Sequence, residues 1–313
     1  MKTLITLSGP TASGKTKLGV MLAKQYDGEV VSCDSMQLYR GMAIGTAAPT
    51  EEEREGVPHH MIGAADPAEQ WSVARFVREA DACVQDILAR GKRPILVGGT
   101  GLYMDALLRG GDFAKGESGG EIRAALTERL EREGIAPLYA ELQSVDPDAA
   151  ARLSPHDHKR ILRALEVYRE SGGTITAHNE KSGALPPKYA AVRLALAFQD
   201  REDMKRLIDE RVSRMAEAGL AEEVRALYER GLPPDATCWQ AIGYKEFRAV
   251  IEGRAAESDA LDEIRLRSRQ YAKRQLTWLR RTEDLHWILW GNKRDFAWAL
   301  QKATEIIAAA GLD

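Results

Sequence analysis

The sequence predicts an α/β protein: a parallel-sheet core built on a phosphate-binding loop (P-loop), with helices on both faces. An all-helical insertion interrupts that core, and a helical C-terminal part follows it. Three observations carry the prediction. Gly9-Pro10-Thr11-Ala12-Ser13-Gly14-Lys15-Thr16 lies between an apolar run and a helical period, the context that separates a P-loop from a turn with an incidental lysine. Short strand signals alternate with helical periods over residues 1–112, as in a parallel α/β sheet. Strand signals then vanish over residues 113–187, and one returns near residue 191. At 313 residues the chain is longer than one compact core usually carries. We therefore divide it into a first part of the core (1–112), a helical insertion (113–187), and a completion of the core with basic C-terminal helices (188–313).

Each element follows from local pattern. Leu4-Ile5-Thr6-Leu7 reads as a buried strand, and Leu18, Met21, Leu22 and Tyr26 fall at helical spacing. Glu29 to Cys33 is a second strand ending at Asp34, and Pro58 to Ile62 a short third one. Ser72 to Arg90 carries an apolar stripe from Val73 to Leu88 and stops at Gly91. Pro94 to Val97 is a buried strand running into Gly98-Gly99-Thr100-Gly101. The P-loop, Asp34 and Thr100 thus sit at C-terminal strand ends, where sheets of this class bind ligands. Gly110 to Gly120 reads as a Gly-rich charged connection. Helices follow at Glu121 to Glu133, Pro137 to Val145 and Asp157 to Glu170, closed by a polar Gly/Pro stretch from Ser171 to Pro187. Ala191 to Phe198 is a further strand. Beyond it the pattern is helical: Arg201 to Ala218, Ala221 to Arg230, Tyr244 to Glu252, Asp259 to Arg281 and Arg294 to Ala310.

Composition excludes several classes. Hydrophobic content of 44% and charged content of 29% suit a soluble globular protein. No apolar stretch reaches membrane-spanning length, and the first residues enter a strand without a signal-peptide pattern. Cys33, Cys83 and Cys238 are odd in number and far apart, which argues against disulfides and structural zinc and fits the cytoplasm. The net charge of −3 hides a polarity: Arg265 to Arg281 holds seven basic residues and no acidic one, so the remainder carries −10. A solvated helix face is the bland reading of such a run. Without interleaved acids, and with Gln270, Tyr271, Gln275, Thr277 and Trp278 between the cations, RNA contact is the reading we prefer.

The P-loop states its own chemistry. Loop amides and the positive end of the following helix converge on one spot that suits a polyphosphate. Lys15 would reach the outer oxygens, and the Thr16 hydroxyl would ligate Mg²⁺. The loop alone does not say which phosphate compound it holds.

The blocks GPTASGKT, DSMQLY from Asp34, Gly41-Met42-Ala43-Ile44-Gly45-Thr46, GGTGLY from Gly98, IGYKE from Ile242 and AKRQLTWLR from Ala272 together resemble the tRNA dimethylallyltransferases. Their order and spacing cover essentially the whole chain, and the absence of zinc-finger cysteines matches the bacterial type. The resemblance implies transfer of a dimethylallyl group from dimethylallyl diphosphate to the exocyclic amine of the adenosine 3′ of the anticodon. It implies that Gly9 to Thr16 cradles the diphosphate, with Thr11, Ser13, Gly14, Lys15 and Thr16 lining it. Arg211 sits where the family places an arginine on the diphosphate, and its planar fork suits two oxygens; a helix-surface cation is the alternative. Lys15 and the loop amides would stabilise the leaving diphosphate. The acceptor amine is a poor nucleophile, so a carboxylate must take its proton. Asp34 is the candidate by resemblance, although its position alone fits a Mg²⁺-holding aspartate almost as well. Thr100 would place the reacting centre, or simply cap a turn.

Resemblance also implies the tRNA contacts. These are Asp34, Ser35, Met36, Gln37, Thr100 and Arg123; Lys159, Arg160, Ile161, Leu162 and Arg163; Gln240, Ile242, Gly243, Tyr244 and Lys245; and Lys273 with Arg274. The target base must leave its stack to be reached. Tyr39, Trp239 and Trp278 could pack in the core as readily as stack on bases. His59 and His60 are adjacent, hence on opposite faces of a strand, and make a poor metal pair; His156 and His158 lack further ligands. The expected partners are the tRNA anticodon stem-loop and dimethylallyl diphosphate, with no membrane, for a monomer. An isopentenyltransferase acting on free adenine nucleotides, a P-loop small-molecule kinase, and a non-catalytic RNA-binding NTPase switch are the alternatives. The insertion, IGYKE and AKRQLTWLR would be unneeded by the first two.

Overall fold

Leu4, Ile5 and Leu7 are fully buried because their strand lies inside a six-stranded sheet covered on both faces. The structure is a computed structural model that describes residues 3–110, 120–291 and 293–312. In chain order the first elements are β1 (Thr3–Ser8), α1 (Lys15–Gln25), β2 (Gly28–Ser32), α2 (Ala43–Thr46), α3 (Glu51–Arg54) and β3 (His59–His60). They continue through α4 (Val73–Ala89), β4 (Arg93–Gly98) and α5 (Gly101–Arg109). Five helices follow: α6 (Glu121–Glu133), α7 (Ile135–Val145), α8 (Pro147–Arg152), α9 (His158–Ser171) and α10 (Ile175–Ala184). The rest comprises β5 (Ala190–Phe198), α11 (Arg201–Glu217), α12 (Leu220–Glu229), a 3₁₀ turn (Thr237–Gln240), α13 (Tyr244–Ile251), α14 (Glu257–Leu279), β6 (Leu285–Trp290) and α15 (Phe296–Ala309).

The strands run parallel in the order β3-β2-β4-β1-β5-β6. Alternating side chains feed two cores, as the strand period requires. Leu4, Val31 and Leu96 join Phe76, Tyr103, Tyr244 and Ile264 on one face. Ile5, Leu7, Val30 and Ile95 join Leu18, Trp290 and Ile307 on the other. Register sets the site: Ser8 pairs with Gly98 and Ser32 with Val97, so three strands end at one level. At the opposite end of β2, Glu29 is 2% exposed and is bound by Arg90, His60 and Lys92. The Arg90 hydrogen bonds hold its carboxyl at about 2. His60 is thus a structural partner of Glu29, and His59 Nδ1 lies 2.8 Å from the Val57 carbonyl.

The chain forms two compact units, Met1–Leu108 with Tyr189–Asp313, and Arg109–Lys188. The second has its own core of Leu126, Leu138, Leu142, Ile161 and Leu165. The expected connection between Gly110 and Gly120, and the expected start of the insertion at residue 113, lie outside the described residues.

Several elements depart from the sequence reading. The stretch from Ser171 to Pro187, read as an irregular close, contains α10. It is capped by Thr174 and anchored where the Thr176 amide and hydroxyl bond to Asp146 (3.0 and 2.7 Å). Leu285–Trp290, which falls between the helices expected to end at Arg281 and to start at Arg294, is β6, an edge strand of the sheet. Helices α2, α3, α5 and α8 also lie where the sequence pattern predicts none.

Candidate active site

The loop at residues 9–16, expected from its sequence to be a P-loop, connects β1 to α1, and Gly14 caps that helix in a left-handed conformation (φ 89°, ψ 17°) that favours glycine. Two distant residues fix the loop. Gln275 of α14 accepts from the Thr11 amide (2.8 Å) and donates to the Gly99 carbonyl (3.0 Å). It therefore binds the P-loop to the loop after β4. Trp290 of β6 donates from its indole to the Ser13 carbonyl (2.8 Å). Within this cradle the Ser13 hydroxyl is buried and has no hydrogen-bond partner among the described residues. An unpartnered buried hydroxyl has capacity left for a hydrogen bond to a bound group.

Lys15 curls over the loop and donates to the Pro10 carbonyl (2.8 Å). Burial pulls its pKa down to about 7, the Arg211 charge depresses it further, and Asp34 opposes both. Arg211, on α11, is likewise lowered by burial while Asp34 pulls it upward; its guanidinium donates to the Thr46 carbonyl (3.2 Å). Two cations therefore face one carboxylate in a desolvated space. An added polyanion would relieve their mutual repulsion.

Asp34 follows β2. Its Oδ1 accepts from the amides of Met36 (2.9 Å) and Gln37 (3.3 Å), which orients the carboxylate. Its Oδ2 has no hydrogen bond among the described residues. Thr100 accepts from the Ser35 amide (3.1 Å), and its own amide donates to the Cys33 carbonyl (3.1 Å). Thr100 thus clamps the backbone that carries Asp34. Tyr271 completes the group. Its pKa is pushed up to about 12, first by burial and then by the Asp34 charge, with Thr100 and Gln275 beside it.

The residues expected to meet RNA separate by exposure. Lys159, Arg160, Gln240, Lys245, Lys273 and Arg274 are exposed, and Ser35, Met36, Arg123, Arg163 and Ile242 half-buried. Tyr244 and Ile161 are fully buried and Leu162 is 3% exposed, so these three side chains belong to hydrophobic cores and cannot touch RNA. Gly243 is buried beside Tyr244. The Gln37 amide is spent on Ser32, Thr46 and Ala47. Tyr39 and Trp239 are core residues. Trp278 is half-buried; its ring lies where a Cβ on Gly101 would sit only 2.2 Å away, and its indole donates to Asp105 (3.1 Å).

Three of the seven cations in the 265–281 run are paired with acids outside it. Arg265 pairs with Asp262, Arg267 with Glu263 and Arg269 with Asp209. Lys273, Arg274, Arg280 and Arg281 are exposed and have no ion pair among the described residues. The unbalanced charge is therefore concentrated at the C-terminal end of the helix.

Sequence reasoning missed Gln275, Tyr271 and Trp290 as parts of the site. One signal was available: Gln275 occupies a buried position between Ala272 and Leu279, where an amphipathic helix ordinarily places an apolar residue. A polar side chain there needs specific partners.

Comparison with known proteins supplies the family. A family model described as IPP transferase matches residues 37–282, and one described as isopentenyl transferase matches residues 2–62. The tRNA dimethylallyltransferase of Thermomicrobium roseum is 44% identical over 91% of this chain and 86% of that protein. That of Geobacillus kaustophilus is 44% identical over 96% and 94%. Among solved structures, the full-length tRNA isopentenylpyrophosphate transferase of Bacillus halodurans is 39% identical with a TM-score of 0.74, covering 99% of this chain and 96% of that one. A eukaryotic dimethylallyltransferase acting on tRNA is 28% identical with a TM-score of 0.85, covering 100% and 81%.

Proposed function

The chain belongs to the IPP transferase family, the tRNA dimethylallyltransferases, and we propose that its donor is dimethylallyl diphosphate and its acceptor the exocyclic amine of the adenosine 3′ of the anticodon. One observation carries this reading: Lys15 and Arg211, both desolvated and mutually repelling, converge beside the Asp34 carboxylate. The cations suit the leaving diphosphate, and the carboxylate suits the incoming amine.

The bond from the allylic carbon to the diphosphate oxygen breaks, and its electron pair leaves with the diphosphate. Lys15, the P-loop amides and Arg211 hold the developing charge. The amine lone pair forms the new carbon–nitrogen bond, and Asp34 Oδ2 takes the released proton. Hydrogen bonds to Oδ1 keep that second oxygen aimed outward. Thr100 keeps the strand end in place, and the neutral Tyr271 phenol closes the space beside it. The Ser13 and Thr16 hydroxyls are hard oxygen donors at the start of α1, a set that fits Mg²⁺ shared with phosphate oxygens. Thr16 would hold the ion, which supplies further charge stabilisation to the leaving group.

We place the reaction in the cytoplasm, for a monomer. Three free cysteines, two of them buried, support a reducing compartment, and no described helix is long and apolar enough to cross a membrane.

The direct experiment offers labelled dimethylallyl diphosphate and Mg²⁺ with unmodified tRNA, beside parallel tubes offering AMP or ATP. Label is expected in tRNA alone, at the adenosine 3′ of the anticodon. Label in a nucleotide, or consumption of ATP, would overturn the assignment.

A further inference from the structure

Between the diphosphate side of the site and the segment after Asp34 lies α2, a helix of four residues. It is too short to hold itself by its own hydrogen bonds. Its support comes from Glu223 on α12. Glu223 Oε2 accepts from the Ile44 amide (2.9 Å) and Oε1 from the Gly45 amide (3.0 Å). The Tyr244 hydroxyl donates to the same Oε1 (2.5 Å). Burial first, and then the Glu223 charge, push the Tyr244 pKa upward, so the phenol stays a donor.

The Tyr244 ring packs directly on the helix it helps to hold. A Cβ on Gly45 would lie 2.5 Å from the Tyr244 ring and 2.9 Å from Leu220. Tyr244 is fully exposed to nothing but protein, at 0% relative exposure. The Gly41–Thr46 run and the IGYKE block, distant in sequence, are thus two halves of one contact.

What α2 presents is a pair of carbonyls. The Thr46 carbonyl accepts from Arg211 Nη2 (3.2 Å) and from Gln37 Nε2 (3.4 Å). The Ala47 carbonyl accepts from the same Gln37 amide (3.2 Å). Arg211 needs such an anchor, because Arg214 pushes against it as Lys15 does. Without a fixed acceptor, like-charge repulsion would swing the guanidinium away from the P-loop.

We infer that Glu223 is a positioning residue: through Tyr244 and α2 it fixes the Thr46 carbonyl, which sets Arg211 for the diphosphate and Gln37 for the acceptor segment. The inference rests on the proposed roles of Arg211 with the donor and of the Asp34–Gln37 segment with tRNA. It couples the two substrate sites through one carboxylate that touches neither substrate. Glutamine cannot replace it. One of its oxygens becomes an NH₂ group that must face a backbone N–H, leaving a donor opposed to a donor.

Steady-state transfer by Glu223→Gln, Arg211→Ala and the double variant tests this, with melting temperature recorded for each. In Glu223→Gln the KM values for dimethylallyl diphosphate and for tRNA should both rise, the former about tenfold. Adding Glu223→Gln to Arg211→Ala should raise the donor KM no further, because the glutamate acts on the donor only through that arginine. Tyr244→Phe keeps the ring against Gly45 and removes only the hydroxyl. It should raise both KM values about threefold and carries the same test should Glu223→Gln fold poorly. A lowered melting temperature with unchanged KM values, or additive effects on donor KM in the double variant, would overturn the positioning role. A wild-type protein that labels no tRNA would instead overturn the activity itself.

Discussion

Lys15 is the residue on which pH acts most directly. Desolvation lowers its pKa to about 7, so at pH 8 the amine is mostly neutral in the free protein. A diphosphate beside it favours the charged form and raises that pKa. Donor binding at pH 8 should therefore take up close to one proton, and donor KM should rise as pH climbs above 7. Calorimetry in buffers of different ionisation enthalpy measures the uptake; Lys15→Arg, charged throughout, should show none. No uptake by the wild-type protein would contradict a buried lysine in contact with the diphosphate. At this scale the sequence was informative where chemistry is local. GPTASGKT names its own lysine and hydroxyls, and Asp34 announces itself by ending a strand. Gln275 did not, because its meaning lies in the Thr11 amide, 264 positions away. Tyr244 misled for the same reason: its motif pointed to tRNA, while its side chain is spent on Gly45 and Glu223.

Among the elements, α14 joins two tasks. Its buried side holds the P-loop and the β4 loop through Gln275 and packs on α5 through Trp278. Its exposed C-terminal end offers Lys273, Arg274, Arg280 and Arg281. Replacing Lys273 and Arg274 together with alanine should weaken binding to all tRNAs alike. The slope of log K against log salt should become shallower by about 1.5, with donor KM unchanged. An unaltered slope, read by filter binding across a salt series, would make those two side chains structural only. The helices with long apolar stripes, α4 and α11, were legible from period alone. β6 was not: Leu-His-Trp-Ile-Leu-Trp is a short, nearly continuous apolar run that helix and strand explain equally. Only the pairing with β5 decides it, and that pairing brings Trp290 beneath the P-loop. α10 was hidden by the glycines before it and by a polar surface, its anchor being the Thr176–Asp146 contact.

For the whole molecule, the excursion of residues 109–188 is the main variable. It has a separate core, and the chain leaves and re-enters the sheet-bearing unit at adjacent points, where the Tyr189 amide donates to the Leu108 carbonyl (3.1 Å). A short glycine linker in place of residues 109–188 should leave the remaining unit folded. Dimethylallyl diphosphate should still bind, because every cradle residue lies outside the excursion, while transfer to tRNA should fall by at least about a hundredfold. Full transfer by the shortened chain would remove the proposed RNA role of Arg123, Lys159, Arg160 and Arg163.

Deprotonation of the acceptor by one carboxylate beside a cationic diphosphate cradle is the proposed key step. It is tested most directly by the single-turnover transfer rate of Asp34→Ala at saturating donor and tRNA, with both affinities measured separately. The rate should drop by about 10²–10⁴-fold, and both affinities should stay within about threefold of wild type. A near-normal rate, or a loss of tRNA affinity as large as the loss of rate, would contradict the assignment of Asp34 as the base.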